Sequence, residues 1–256
     1  NDFVMETLIL MDALRRSSAK RINLICPQLA YSRQDRRARS HEPITAKLLA
    51  NMLTVAGLSR LITIDLHADQ IQGFYDIPVD HLVGYPLIAK EVLAEKYKDI
   101  VVVSPDIGGV KRANKLADLL GTTIAIIDKI RREHNKSEVA HVVGDVKGKT
   151  AVLIDDIIDT GGSICQAANT VKEFGAKEVI ICATHALLSG EASKNLDNCA
   201  TSKVILLDSV PIAKEKRIKK MKIVSLAPLL SQIIYRVHKE KSLGELFRWE
   251  KQARLL

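Results

Sequence analysis

Residues 152–163 read VLIDDIIDTGGS. An apolar run, Val152, Leu153 and Ile154, delivers the chain to Asp155 and Asp156. A third acid, Asp159, follows, and then Thr160, Gly161, Gly162 and Ser163. A strand of 151–154 running through a glycine turn into a helical pattern over 162–174 is a strand–turn–helix unit. The glycines let backbone amides approach an anion, two hydroxyls add donors, and the helix start favours negative charge. The turn thus reads as a phosphate cradle, yet the three carboxylates before it would repel phosphate. A sugar phosphate reconciles the two: its phosphate meets residues 160–163, and the acids accept hydrogen bonds from ribose hydroxyls. Asp and Thr-Gly-Gly also build ordinary turns and helix caps, but three acids at one strand end exceed what a cap requires.

The same alternation runs outward in both directions. Expected strands, short and rich in β-branched residues, are 22–26, 61–65, 100–104, 123–127, 151–154, 178–183 and 203–207. Helical patterns occupy 2–16, 43–56, 84–97, 109–120, 162–174 and 226–238. Such spacing predicts an α/β fold, a parallel sheet with crossover helices. Aromatic residues are only 4% of the chain, with Ile, Val, Leu and Ala filling the core instead, which favours buried parallel strands over a β-sandwich. Ligands of such sheets bind at the carboxyl ends of the strands.

The chain also contains itself twice. ANMLTVAGLSRLITIDLH (50–67) and ANTVKEFGAKEVIICATH (168–185) align without gaps, sharing a helix, a glycine turn, a strand and a terminal His. This predicts two related α/β halves, although similar units with chance identities are also common. In the same register VLIDDIIDTGGS falls opposite the region of RQDRRARSHE, so one half carries acids and the other arginines.

Four further stretches sit where chemistry is expected. In DLHADQIQGFYDIPVD (65–80), His67 lies beside Asp65, which could orient its ring as a metal or phosphate ligand; a lone His is more often a core or capping residue. In SPDIGGVKRA (104–113), Asp106 is placed for Mg²⁺ or a sugar hydroxyl, while Gly108 and Gly109 equally make a tight turn. In DKIRREHN (128–135), Lys129 and Arg131 alternate and would point the same way from an extended loop, as a charge clamp or as solvated surface. In YSRQDRRARSHEP (31–43), arginine forks suit phosphate oxygens and Gln34 suits a base edge; a surface loop is the plain alternative.

Net charge is +8, from 38 basic and 30 acidic residues, and the basic residues cluster at 32–41, 128–136 and 213–222. None of these clusters carries the interleaved aromatics of a single-strand platform, which argues against nucleic acid; a plain basic surface and a site that handles several phosphates both fit, and composition alone does not decide between them. No apolar run reaches the roughly 18 residues of a membrane span. The four cysteines, Cys26, Cys165, Cys182 and Cys199, show no CxxC or metal-type spacing and read as reduced buried thiols of a cytoplasmic protein. The chain opens at Asn1 and Asp2 directly in a helical pattern, so the natural protein is expected to begin earlier.

With these stretches in hand, the chain resembles the ribose-phosphate pyrophosphokinase (phosphoribosyl pyrophosphate synthetase) family over essentially its whole length, from NDFVMETLILMDALRRSSAKRINLICP to KSLGELF. RQDRRARSHEPITAKLLANMLTVAG, DLHADQIQGFYDIPVD, SPDIGG and DDIIDTGGS carry the resemblance. Tyr75 stands where a second Phe is usual, Ile107 where many bacterial members have His, His41 for a usual Arg, and Ser163 for Thr. The resemblance implies two type I phosphoribosyltransferase-like domains with mostly parallel sheets. They are expected at 1–82 (incomplete at its N-terminus) and 83–235, with the tail 236–256 packing back on the first.

It further implies a homo-oligomer, a hexamer, that moves the pyrophosphoryl group of MgATP to ribose 5-phosphate. Asp155, Asp156, Asp159, Thr160, Gly161, Gly162 and Ser163 would hold the sugar phosphate, and His67 and Asp106 Mg²⁺. Arg33, Gln34 and His67 would bind ATP, and Lys129 and Arg131 would be catalytic. The family's N-terminal segment, which helps bind adenine across subunits, is not in this chain. ADP and phosphate regulation is implied only by the loose match of the tail. No general base is evident; the hydroxyl proton goes to water or an acid such as Asp155. Two rival readings are a salvage phosphoribosyltransferase, which would not need the 31–43 and 65–80 blocks, and a silent regulatory paralogue, which would usually carry an insertion near the basic loop.

Overall fold

Helix α1 (Asp2–Arg16) opens the chain as the spacing predicts and leads to the short strand β1 (Asn23–Ile25). Helix α2 (Thr45–Val55) buries Ala46, Leu49, Ala50 and Leu53, the i, i+3, i+4, i+7 stripe of one helix face. It crosses to β2 (Arg60–Ile64), and a 3₁₀ turn (Asp69–Phe74) then connects to β3 (Val79–Leu82), a strand the sequence pattern did not announce. The three strands form a parallel sheet in the order β1-β2-β3, with Asn23 opposite Arg60 and Leu61 opposite Val79. Met11, Leu49, Leu53, Leu61, Ile71 and Tyr75 meet in its core. The structure, a computed structural model, describes residues 1–130, 139–244 and 246, and the elements above make up the first of two units, Asn1–Val83 and Gly84–Leu256.

The second unit runs α3 (Tyr85–Ala94), β4 (Ile100–Ser104), α4 (Val110–Leu120), β5 (Thr123–Ile130), β6 (Val139–Val143), β7 (Thr150–Ile158), α5 (Gly162–Glu173), β8 (Glu178–Ala186), α6 (Ala192–Asn198), β9 (Lys203–Leu207), β10 (Met221–Val224) and α7 (Ala227–His238). Its seven strands are ordered β10-β9-β8-β7-β4-β5-β6, all parallel except β6, which pairs antiparallel with β5. The expected α/β architecture of mostly parallel sheets is found. Val101, Val102 and Val103 on β4 and Ala151, Val152, Leu153 and Ile154 on β7 are all buried, so both faces of the sheet centre are covered. One face packs Val101, Val103, Leu153 and Ile181 against Ile164, Ala168 and Val171 of α5.

Strand order fixes where a ligand can sit. From β4 the chain moves one way to β5 and then returns to β7 on the other side, continuing to β8, β9 and β10. The direction reverses between β4 and β7, and the crevice outside their carboxyl ends is the topological switch point. The last β4–β7 pair is Val103 with Leu153, whereas β7 continues to Ile158 beside β8. β7 therefore overhangs β4, and Asp155 and Asp156 lie within the overhang. The expected strand 151–154 was too short because Ile157 and Ile158, beyond the acids, pair with His185 and Ala186 of an equally extended β8.

The repeat is visible in backbone detail. At the end of α2, Gly57 has φ +103°, Gly57 N–H donates to Thr54 C=O, and Leu58 N–H to Leu53 C=O. At the end of α5, Gly175 has φ +93°, with the matching bonds to Lys172 and from Ala176 to Val171. Both are glycine-terminated Schellman caps. The register does not extend upstream, however. Arg60 and Glu178 differ by 118 residues, whereas their strand partners Asn23 and Thr150 differ by 127, so the loop after β1 is nine residues longer. VLIDDIIDTGGS therefore does not superpose on RQDRRARSHE residue for residue.

All four cysteines are free thiols, with Cys165, Cys182 and Cys199 buried. Among the described residues no helix is long and apolar enough to cross a membrane.

Candidate active site at the carboxyl edge of the sheet

In the overhang, Asp156 is buried and Asp155 half-buried. Asp155 Oδ1 accepts the Asp156 backbone N–H at 2.8 Å. Arg112 of α4 reaches both acids: Nη1 lies 3.1 Å from Asp155 Oδ1 and Nη2 3.3 Å from Asp156 Oδ1. Burial, and then the neighbouring Asp156 carboxyl, push the Asp155 carboxyl up to about 7, with Arg112 acting in the opposite sense.

Beyond β7, Gly161 is the N-cap of α5 with φ +78°, a left-handed conformation, and a Cβ there would come within 3.4 Å of the Ala192 carbonyl. The N-cap of α5 is a glycine and supplies no side-chain cap, and a helix start of this kind favours an anion. Gly162 and Ser163 are exposed. The turn is braced from outside: Asn195 Nδ2 on α6 donates to the Thr160 carbonyl at 3.0 Å, and Ser189 N–H donates to the Asp159 carbonyl at 2.9 Å.

Asp106 follows β4. Its Oδ1 accepts the Gly109 N–H at 2.9 Å, and Ser104 Oγ donates to its carbonyl at 2.6 Å. A Cβ on Gly109 would lie 2.8 Å from Ser104 Oγ, so the tight turn demands glycine there. The tight-turn reading of this stretch is thus realised, with Asp106, an exposed residue at the switch point, holding the turn.

Strand β5 continues past the expected 123–127 to Ile130, because β6 supplies an antiparallel ladder. Lys129 lies in that ladder opposite Ala140, not in a loop. Arg131 lies outside the described residues.

In the first unit, Arg33 and Gln34 are exposed in the loop after β1, and the Gln34 carbonyl accepts the Ala46 N–H at the start of α2. Gln70 Nε2 donates to Asp35 Oδ2 at 3.0 Å, tying this loop to the 65–80 stretch. His67 is exposed just past β2. Asp65 is buried with φ +43°, and its N–H donates to Leu82 C=O. His81 on β3 holds the turn: its Nε2 accepts the Leu66 N–H at 2.9 Å, which places the ring proton on Nδ1, 3.6 Å from Asp69 Oδ1. Among the described residues no cluster of three or more His, Cys, Asp or Glu side chains is arranged to hold a metal by itself.

Arg112, Asn195 and His81 were not singled out from the sequence. Arg112 had a signal, a cation in the first turn of a helix right after SPDIGG; Asn195 and His81 act only through tertiary contacts.

Two family models match: the N-terminal domain of ribose phosphate pyrophosphokinase over residues 1–57 and the phosphoribosyl synthetase-associated domain over residues 135–248. The chain is 53% identical over 247 residues to the ribose-phosphate pyrophosphokinase of Bacillus subtilis (strain 168), covering 96% of this chain and 78% of that one. It is 52% identical over 247 residues to that of Corynebacterium ammoniagenes, with the same coverage of 96% and 78%. The crystal structure of phosphoribosylpyrophosphate synthetase from Mycobacterium smegmatis superposes with a TM-score of 0.87 at 47% identity, over 93% of this chain and 78% of that one. The chain belongs to the ribose-phosphate pyrophosphokinase family.

Proposed function

We propose that the chain transfers the pyrophosphoryl group of MgATP to the anomeric hydroxyl of ribose 5-phosphate, giving 5-phosphoribosyl 1-pyrophosphate (PRPP) and AMP. The observation that carries this reading is the pairing, at the β4/β7 switch point, of an acid pair with an uncapped, glycine-shaped helix start. The amides and hydroxyls of residues 160–163, with Asp159 beside them, take the 5-phosphate. Asp155 and Asp156 accept hydrogen bonds from the ribose hydroxyls. The anomeric oxygen attacks the β-phosphorus of ATP, the bond to the α-phosphate oxygen breaks, AMP leaves, and the hydroxyl proton passes to water or an acid. Holding both reactants in line supplies much of the acceleration.

Lys129 and Arg131 are assigned to charge on the transferring group, and Arg33, Gln34 and His67 to ATP. Asp106 of the second unit and His67 of the first are each assigned as a ligand of Mg²⁺. The donor set fits an ion that arrives on the nucleotide: Mg²⁺ is usually held by one or two carboxylates plus substrate phosphates, not by an all-protein cage. When bound, it neutralises phosphate charge. The enzyme is further read as a cytoplasmic homo-oligomer, a hexamer, open to ADP and phosphate regulation. A salvage phosphoribosyltransferase or a silent paralogue is not favoured by the match to ribose-phosphate pyrophosphokinases over 96% of the chain.

The test is AMP release from MgATP with and without ribose 5-phosphate, on this chain and on Lys129→Ala. AMP that appears only with the sugar, and falls by about 10²–10³ in the variant, supports the reading. Sugar-independent AMP, or a variant as fast as the parent, contradicts it.

A further inference from the structure

Asp155 and Asp156 are adjacent on a strand, and adjacent strand residues point to opposite faces. Something must bring two such carboxylates to one task, and two neighbouring negative charges must be offset. Arg112 does both. Its guanidinium spans the pair at 3.1 and 3.3 Å, one nitrogen to each acid. Side-chain exposure is 18% for Arg112, 28% for Asp155 and 6% for Asp156, so the contact is shielded from water.

The location of Arg112 makes this contact informative. It is the third residue of α4, in the helix's first turn, where the helix dipole disfavours a cation. A positive charge there is unhelpful to the helix and is accommodated by the two carboxylates opposite. The same helix start is pinned by Asp106 through the Gly109 N–H. One short element therefore fixes the acid after β4 and the acid pair on β7.

We infer that Arg112 is a positioning residue for sugar recognition, holding Asp155 and Asp156 aimed so that together they accept hydrogen bonds from the neighbouring ribose hydroxyls. This rests on the reading of those acids as ribose ligands. Arginine suits the task because its planar fork addresses two carboxylates at fixed spacing, whereas lysine supplies charge without the fork. The consequence is selectivity: a sugar lacking one of the hydroxyls forfeits part of an interaction that only the aligned pair can make.

The experiment compares wild type, Arg112→Ala and Arg112→Lys in KM for ribose 5-phosphate, KM for MgATP, and the preference for ribose 5-phosphate over 2-deoxyribose 5-phosphate. Calorimetric binding of ribose 5-phosphate without nucleotide is measured alongside. In Arg112→Ala, KM for ribose 5-phosphate is expected to rise about tenfold to a hundredfold, as for lost hydrogen bonds to charged groups. KM for MgATP stays within twofold, and the preference for the ribose sugar falls at least tenfold. Arg112→Lys folds like wild type and recovers only part of the sugar affinity.

If Arg112→Ala lowers thermal stability but leaves sugar KM and sugar preference within twofold of wild type, the residue is merely structural and the inference is overturned. Should the alanine variant fail to fold, Arg112→Lys decides: sugar affinity and preference equal to wild type overturn it. Wild type that binds ribose 5-phosphate, beside variants that bind equally well, sinks this inference alone. Wild type that neither binds ribose 5-phosphate nor turns it over with MgATP sinks the proposed function and this inference with it.

Discussion

The side-chain amide of Asn195, on α6, donates to the carbonyl of Thr160 at 3.0 Å, so the phosphate turn is held by a helix that lies 32 residues beyond it in the chain. The bond fixes the turn's backbone through a carbonyl and occupies none of its amides. Replacing Asn195 by Ala is expected to cost about 1 kcal/mol of stability, the usual worth of one neutral hydrogen bond. It should raise KM for ribose 5-phosphate several-fold through a looser turn and leave KM for MgATP unchanged. Steady-state kinetics with each substrate varied in turn check this, and equal changes in both KM values would count against the bracing role.

Tyr75 offers a test of packing alone. Among the described residues its hydroxyl is buried without a hydrogen-bond partner. Burial pushes the phenol pKa well up, which marks how poorly the site would take the charged form. Tyr75→Phe removes the stranded hydroxyl and keeps the ring, so it is expected to stabilise the first unit by about 1–2 kcal/mol. Urea unfolding midpoints measure this directly. A destabilised variant would mean that the hydroxyl does have a partner in solution.

Asp155 makes a signed prediction about pH. Its carboxyl titrates near 7 in the folded chain, above its ordinary value of 3.8, because burial and Asp156 disfavour the charge. Between about pH 4 and 7 the folded state therefore holds a proton that the unfolded state has released. Stability from this group is fully present below the unfolded value and is lost as pH rises through 7. Asp155→Asn should lack that decline and exceed wild type at pH 8 by on the order of 1–3 kcal/mol, while binding ribose 5-phosphate more weakly. Thermal unfolding of both proteins from pH 4 to 8 checks it; parallel curves would show that Asp155 is ionised throughout.

Much of this was legible in the sequence because it is written in local patterns. Period-2 and period-3.6 spacing located α1, α2, α5 and most strands of both sheets, and the Gly57 and Gly175 turns advertised a repeated helix–turn–strand unit that the backbone confirms. The strand ends were harder. Asp155 and Asp156 look like loop residues, yet β7 carries them onward because β8 beside it is equally long. Lys129 likewise became strand through its antiparallel partner β6, whose pairing no short-range pattern reveals. β3, β6 and β10 are short strands at sheet edges, with too few residues to show a period. Arg112, Asn195 and His81 owe their roles to contacts between distant segments, which composition and spacing do not encode.

The central claim is that a pyrophosphoryl unit passes intact from ATP to ribose 5-phosphate. Incubating the chain with ATP labelled at the γ-phosphorus, Mg²⁺ and ribose 5-phosphate tests it most directly. The account predicts AMP and labelled PRPP in equal amounts, with the label in the pyrophosphate group. Labelled phosphate with ADP, or AMP formed while the ribose 5-phosphate stays unlabelled, would contradict it.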